Sequence, residues 1–404
     1  MAATRSAIAD RATQRNALIA GFLGWTLDAF DFFVLTFTLS SVAKDFNVTR
    51  PQVALTLTLT LAMRPVGAVI FGLMADRYGR RLPLMLDVLF YSVVEVLSGL
   101  APSYTVFVIL RLLYGIGMGG EWGVGASLVM ESVPAKWRGV LSGLLQEGYA
   151  FGNLLAAVAY FTVFPHWGWR ALFIIGGLPA LLTLFIRAKV KESEVWRRSR
   201  TDWHNYGRSI LRHARLFIYL VVLMAMMNFI SHGTQDLYPT FLQRQRGFTP
   251  HATAVTAMIS MLGAFSGGLA FGLYSDRRGR RRSMITAVLL AFVLIPLWIF
   301  APSTAFIAAG AFLMQFMVQG AWGVIPAHIN ELSPDSLRGF FPGFAYQLGV
   351  LIASSIDYIE AALGEHFTYA QSMALMAATV LLAGAVVIAS GPEAKGIAFG
   401  RQEN

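Results

Sequence analysis

The chain has 404 residues, 56% hydrophobic and 13% charged, with 32 Lys and Arg against 22 Asp and Glu and no cysteine. A soluble chain carries about twice that charged fraction, so ordinary globular domains are excluded; disulfides, thiolate nucleophiles and cysteine metal sites are excluded with them. The net charge of +10 would point to nucleic acid on a soluble basic face, but these basic residues sit in short loops between apolar runs, which assigns them to membrane orientation.

A bilayer crossing takes about 20 apolar residues. Twelve such segments follow in chain order: 17–42, 51–74, 82–101, 104–130, 139–163, 168–188, 214–241, 251–274, 284–301, 304–331, 340–363 and 368–390. The basic start, Met1 to Arg15, runs into the first segment without an obvious cleavage site, so span 1 reads as retained. The charged stretch 191–213 cannot span and divides the chain six and six. The expected class is an all-α membrane protein. It has an N-terminal six-helix bundle (1–190), a linker (191–213) and a C-terminal six-helix bundle (214–404).

Ionisable residues inside such spans are costly and must face a partner or a cavity. Span 1 carries Asp28 and Asp31, three apart on one face, where two carboxylates resist double ionisation. Either they carry the coupling proton, or they pair with Arg64 of span 2 or Arg111 of span 4. Arg64 lies roughly 15 Å deep by helix rise and either forks onto a substrate carboxylate or neutralises one of those aspartates. Arg111 and Glu121 stand about 15 Å apart on span 4, so they do not pair; Glu121 is a proton-relay candidate. Glu95, Glu147, His328 and Asn330 read as packing or loop-end residues. In span 7, Asn228, His232, Gln235 and Asp236 fall at i, i+4, i+7 and i+8, one polar stripe expected to face the central cavity. The amides and the imidazole can donate to an organic anion, while Asp236 repels it unless protonated or holding His232 positive. Trp25, Phe30, Phe33, Trp122, Tyr149, Trp322 and Tyr346 are candidates for narrowing the cavity. Gly263, Gly267, Gly268 and Gly272 in span 8 form small-xxx-small pairs for close helix packing.

Loop charge sets orientation. With both termini in the cytoplasm, all but seven of the 32 basic residues are cytoplasmic; Lys44, Arg50, Arg170, Arg244 and Arg246 lie opposite, and Arg64 and Arg111 inside spans. A shift of 200 then aligns the halves without a gap. Gly72, Asp76, Arg77, Gly79, Arg80 and Arg81 fall on Gly272, Asp276, Arg277, Gly279, Arg280 and Arg281. Glu131, Pro134, Arg138 and Gly139 fall on Glu331, Pro334, Arg338 and Gly339. An even number of spans per repeat makes the halves parallel, the arrangement of transporters with two rocking bundles and a midplane site. The polar residues do not repeat: Asp28 meets Asn228, Asp31 meets Ser231, and Glu121 meets Ala321.

The two Gly-Asp-Arg-Gly loops and Arg111-Leu-Leu-Tyr-Gly115-Ile-Gly117 resemble signatures of the major facilitator superfamily. Met63 to Ala68 and Gly119 to Gly123 resemble its metabolite:proton and sialate:proton symporter branches. Asn228-Phe-Ile-Ser231-His232-Gly-Thr234-Gln235-Asp236-Leu-Tyr-Pro-Thr240 resembles the span-7 signature of the lactate/pyruvate:proton symporters, the Jen-type permeases and their bacterial relatives. The resemblance implies proton-coupled symport of a small monocarboxylate by alternating access, with sialate or another organic acid as the alternative and a transporter-like nutrient sensor as a distant one. It implies substrate contacts at Arg64, Asn228, His232 and Gln235, and proton coupling through Asp28, Asp31, Glu121 and Asp236. Asp76 with Arg80 and Arg138, and Asp276 with Arg280 and Arg338, would latch the bundles. Lys191 to Trp196 resembles the acidic motif after span 6 without its prolines. The expectation is a monomeric, multi-pass inner-membrane carrier whose partners are an organic anion, protons and lipid, with no cofactor beyond the coupling proton. No nucleophile elbow, phosphate loop or metal-ligand cluster supports an enzyme.

Overall fold

In hydrocarbon every backbone N–H and C=O must be bonded within the protein, which leaves an apolar run of this length the helix as its spanning form. The computed structural model, which describes residues 2–199, 201, 203–364 and 366–400, is helical throughout its apolar runs, with no strand among the described residues. Single helices form span 1 (Ala2–Asp45), span 2 (Arg50–Tyr78), span 3 (Arg81–Gly99), span 4 (Tyr104–Ser132), span 8 (Pro250–Arg278), span 9 (Arg280–Phe300), span 10 (Thr304–Leu332) and span 12 (Tyr369–Ser390).

Four spans expected to be continuous are broken, each at a local cause. Span 5 is Arg138–Gln146 then Gly148–Thr162, divided at Glu147, whose carboxylate lies against span 8 at Gly268. Span 6 is Phe164–Ile175 then Ala180–Lys189; Gly176, Gly177 and Pro179 intervene, and proline cannot donate to the helix ladder. Span 7 (Ala214–Gln235) restarts as Tyr238–Arg244 with Pro239 in its first turn. Span 11 is Phe341–Ala353 then Ile356–Gly364; at the break the Ser354 and Ser355 hydroxyls donate to the carbonyls of Leu351 and Ile352, competing with the backbone ladder. Among the described residues nine helices meet the length and apolarity of a membrane crossing. Spans 4, 5 and 11 fall short: 5 and 11 because they are broken, and the continuous span 4 because Arg111, Glu121 and a run of glycines lower its apolarity.

The duplication extends to helix starts. Thr49 and Thr249 cap spans 2 and 8, and Ser103 and Ser303 cap spans 4 and 10, each hydroxyl accepting a backbone N–H three residues on. One-turn 3-10 helices, Ala135–Trp137 and Asp335–Leu337, also repeat at 200.

The bundles meet at one end, called here the latch face, where the span 2–3 and 8–9 loops lie, and their contact continues to the midplane; the opposite end is the far face. The seam is built of glycine. A Cβ on Gly123 would stand 2.5 Å from the Gly343 Cα. One on Gly143 would stand 2.8 Å from the Gly268 carbonyl carbon, and one on Gly272 3.0 Å from that of Gly139. Spans 4, 5, 8 and 11 thus touch backbone to backbone, a close approach that small residues permit.

Candidate functional site

The midplane is floored by an aromatic cage drawn from both bundles. Tyr346 (span 11) stacks on Trp122 (span 4) with ring centres 4.4 Å apart, and Trp25 and Trp322 meet it edge-on at 6.4 and 6.1 Å. Trp25 stacks on Tyr149 at 5.5 Å, and Tyr149 meets Phe33 at 5.2 Å. The Trp322 indole is fixed by the Met227 carbonyl at 3.0 Å. Six of the seven expected aromatics build this cage. Phe30 does not: it is 6% exposed and packs in the N-terminal bundle core.

Arg64 stands over the cage, its guanidinium carbon 5.7 Å from the Tyr346 ring centre. It is 4% exposed, and its Nε and Nη2 have no hydrogen-bond partner. Asp28, Asp31 and Glu121 are fully buried, and none of their carboxylate oxygens is hydrogen-bonded. The fixed pairing of Asp28 or Asp31 with an arginine, open from the sequence, is not made. Arg111 is taken by Glu95 instead, through an ion pair, and donates to Ser98 Oγ at 2.6 Å. Glu95 is therefore a structural partner. Asp28 and Glu121 each lie within electrostatic range of Arg64, so one guanidinium faces two uncommitted carboxyls.

The span-7 stripe divides by depth. Asn228 is buried and donates to Met224 O at 2.8 Å on its own helix. One turn on, His232 Nδ1 and Asp236 Oδ2 stand 3.0 Å apart, with side chains 47% and 38% exposed. Gln235 and Gln319 both donate to Ser231 Oγ, at 3.0 and 3.3 Å. Asp236 is in electrostatic range of Tyr149, which directs it toward the opposing bundle. Arg64 thus lies at the cage and Asn228 follows Met227, whose carbonyl holds Trp322, with His232, Gln235 and Asp236 further along span 7 toward the far face.

At the latch face the repeat becomes an exchange. Asp76 binds Arg80 at 2.8 Å and also accepts the Gly339 N–H of the other bundle at 2.7 Å. Asp276 binds Arg280 at 2.7 Å and accepts the Gly139 and Val140 N–H groups at 2.8 and 3.1 Å. Contrary to the sequence expectation, Arg138 does not pair with Asp76 nor Arg338 with Asp276; Arg338 binds Asp335 at 2.5 Å instead. Arg138 reaches Glu331 and Arg338 reaches Glu131, both at 3.5 Å across the seam, because each glutamate is already gripped by Arg80 or Arg280 at 2.9 Å. The repeat showed Glu131 and Glu331 as aligned but gave them no role; two buried arginines converging on each is what assigns it. Asn330 joins the seam through Ser127 Oγ at 3.0 Å, beyond the packing role its sequence context suggested.

The acidic motif after span 6 has a definite task. Glu192 accepts the Arg80 N–H at 2.8 Å, satisfying the start of span 3. Glu393 does the same for Arg280 at 2.8 Å in span 9. That copy is offset by 201, so alignment at 200 misses it. Burial opposes the charge on Glu393, but the N–H groups of Arg280, Lys395 and Ala394 outweigh it and hold the carboxyl below its usual range. Beyond it, Phe399 lies between the two seam arginines, its ring centre 3.6 Å from the Arg138 guanidinium carbon and 3.8 Å from that of Arg338. Arg138 also donates to Ile397 O at 2.7 Å.

Comparison with known proteins fits this geometry. The Major Facilitator Superfamily model matches residues 21–356 and 237–401. A carboxylic acid transporter protein homolog of Saccharomyces cerevisiae is 28% identical over 91% of this chain, which spans 66% of that relative. A probable 4-methylmuconolactone transporter of Cupriavidus pinatubonensis is 31% identical over 96% of this chain and 92% of its own. The sialic acid transporter NanX of Escherichia coli is 31% identical over 83% and 84%. Among solved structures, the proton:xylose symporter XylE superposes with a TM-score of 0.77 over 97% of this chain and 98% of its own at 19% identity, a likeness of fold.

Proposed function

The chain belongs to the major facilitator superfamily, a multi-pass membrane transporter and not an enzyme, and we propose that it is a proton-coupled symporter of small monocarboxylates of the lactate or pyruvate type. The observation that carries this is Arg64, a buried guanidinium with unused donors at the midplane. A carboxylate would satisfy Nε and Nη2 in the forked geometry that arginine favours. Asp28 and Glu121 compete with that anion for the same positive field. A proton on either one frees Arg64 for the substrate, so proton and anion are favoured together. The carboxylic acid, muconolactone and sialic acid relatives support an organic acid as cargo.

The excess of Lys and Arg in the loops at the latch face supports a cytoplasmic position for it. With that orientation, the closed latch corresponds to an outward-facing state. His232, held by Asp236, meets the anion on the way to Arg64; binding and protonation are followed by separation of the latch and release inside. A second reading, a ring-bearing organic acid such as sialate, is favoured by the cage, whose stacked faces suit a larger planar or cyclic body.

The test is uptake of labelled lactate into proteoliposomes under an inward proton gradient, with unlabelled pyruvate, sialate and benzoate as competitors. Accumulation abolished by a protonophore and competed by pyruvate supports the first reading. Uptake indifferent to the protonophore refutes symport, and competition by benzoate or sialate alone moves the cargo to the second reading.

A further inference from the structure

Span 3 carries a buried polar stripe that the central site does not use. Asp87, Tyr91, Glu95 and Ser98 occur at i, i+4, i+8 and i+11, so they share one helix face, and all four are fully buried. Glu95 and Ser98 are held by Arg111. Asp87 and Tyr91 are not held: both Asp87 carboxylate oxygens and the Tyr91 hydroxyl lack a hydrogen-bond partner. The groups facing them are acidic. Glu121 of span 4 and Asp28 of span 1 lie within electrostatic range of Asp87, and among the described residues no cation acts on it. Tyr91 is in range of Asp28, Asp31, Glu121 and Asp87 together.

The duplicated half shows that the fold does not require this stripe. At the 200 offset the four positions are Ala287, Ala291, Ile295 and Trp298, all buried in the packed core of the C-terminal bundle. Span 9 thus makes the same helix from apolar residues. Asp87 lies six residues from Arg81, the latch-face end of span 3, roughly 9 Å by helix rise. Glu121 lies deeper, eleven residues from the latch-face end of span 4, roughly 16 Å. The unpartnered groups therefore descend from the midplane toward the latch face inside one bundle. Among the described residues no three acidic or histidine side chains converge as a metal site would require; these carboxyls are strung out.

An ionised carboxylate without counter-ion or hydrogen bond is strongly disfavoured in such surroundings, and a proton cancels the charge. We propose that Asp87 is a second proton-binding site, and that the proton leaves the central site through the N-terminal bundle, from Asp28 and Glu121 past Tyr91 to Asp87, while the organic anion leaves through the cleft. At each step a carboxyl O–H gives its proton to the next, ionised carboxylate and takes over its negative charge, the Tyr91 hydroxyl accepts one proton as it releases another, and Asp87 finally gives the proton to water at the latch face. No hydrogen bond joins these groups in the latch-closed state, so the path is interrupted there.

This proposal rests on proton-coupled symport. Wild-type protein, Asp87→Asn, Asp87→Glu and Tyr91→Phe are reconstituted in liposomes with labelled lactate as the probe. Two assays are run: exchange against internal lactate at equal pH, and accumulation under an inward proton gradient with an internal pH dye. Asparagine is the neutral isostere of protonated aspartate, so the fold tolerates it. Asp87→Asn is expected to keep exchange within about twofold of wild type and to lose accumulation and lactate-dependent internal acidification at least tenfold. Asp87→Glu restores both, and Tyr91→Phe slows acidification while exchange is kept. Proton-driven accumulation by Asp87→Asn equal to wild type overturns the second site, as does parallel loss of exchange and accumulation in a variant with wild-type melting. If Asp87→Asn does not fold, Tyr91→Phe decides by the same two assays. Wild-type uptake indifferent to the gradient refutes the symport reading itself, a separate outcome.

Discussion

Replacing Gly143 by alanine adds one methyl group where the two bundles touch. Its Cβ would stand 2.8 Å from the Gly268 carbonyl carbon and 3.4 Å from the Leu269 nitrogen. The opposing atoms are backbone and cannot rotate away, so span 5 must withdraw from span 8 by about half an ångström or more to reach ordinary contact. Overpacking of this kind costs about 1–3 kcal/mol. The cost falls only on the latch-closed state, since parting the seam frees the methyl. The closed-to-open ratio should therefore drop roughly 5- to 150-fold. The chain has no cysteine, so a single reporter suffices. Ala327 is fully buried at the seam, its N–H bonded to Ser142 Oγ at 2.9 Å. Maleimide labelling of Ala327→Cys should accelerate by that factor in the Gly143→Ala background. It should be unchanged in Gly207→Ala, where an added Cβ meets nothing within 4 Å. Equal labelling in both backgrounds would refute the claim that the glycine seam sets the closed state.

Three further outcomes follow from the site. Arg64→Lys keeps the charge but loses the fork; with charge-assisted hydrogen bonds at about 1.5–3 kcal/mol, the KM for lactate should rise roughly 10- to 150-fold, and an unchanged KM would remove Arg64 from the substrate. His232→Ala and Asp236→Asn alter a half-exposed pair, so both should impair proton-driven uptake while thermal melting stays near wild type; normal transport by both variants contradicts the span-7 reading. Glu131→Gln leaves Arg80 and Arg338 facing a weaker acceptor, so it should speed labelling of Ala327→Cys, and combining it with Gly143→Ala should exceed either change alone.

The helices, the two-bundle division and the internal repeat were legible because bilayer thickness and lost backbone hydration impose a long apolar period that few sequences satisfy by chance. The breaks at Glu147 and Ser354 were not legible, since a glutamate or a serine pair interrupts a helix only when a tertiary partner or local back-bonding competes for the ladder. The uncommitted state of Asp28, Asp31 and Glu121 was also hidden. Spacing shows that carboxylates exist at midplane depth, but it cannot show that Arg111 is already occupied by Glu95. Asp87 and Tyr91 could have been found from the sequence by asking which span-3 positions turn apolar at the 200 offset. The crossed pairing at the latch escaped for a related reason: a repeat shows which residues correspond, and correspondence does not say whether each arginine serves its own copy or the other.

The segment that follows span 12 returns beneath both bundles, and Phe399 occupies the space between Arg138 and Arg338. Those two guanidiniums belong to opposite bundles and must separate whenever the latch opens, so the aromatic ring has to surrender at least one of them in every cycle. Detachment of this short strap is then a toll on turnover that the cargo never meets. Changes at Ile397, Phe399 or Gly400 would set how fast the carrier runs while leaving what it carries untouched, a throttle separable from the selectivity written at Arg64.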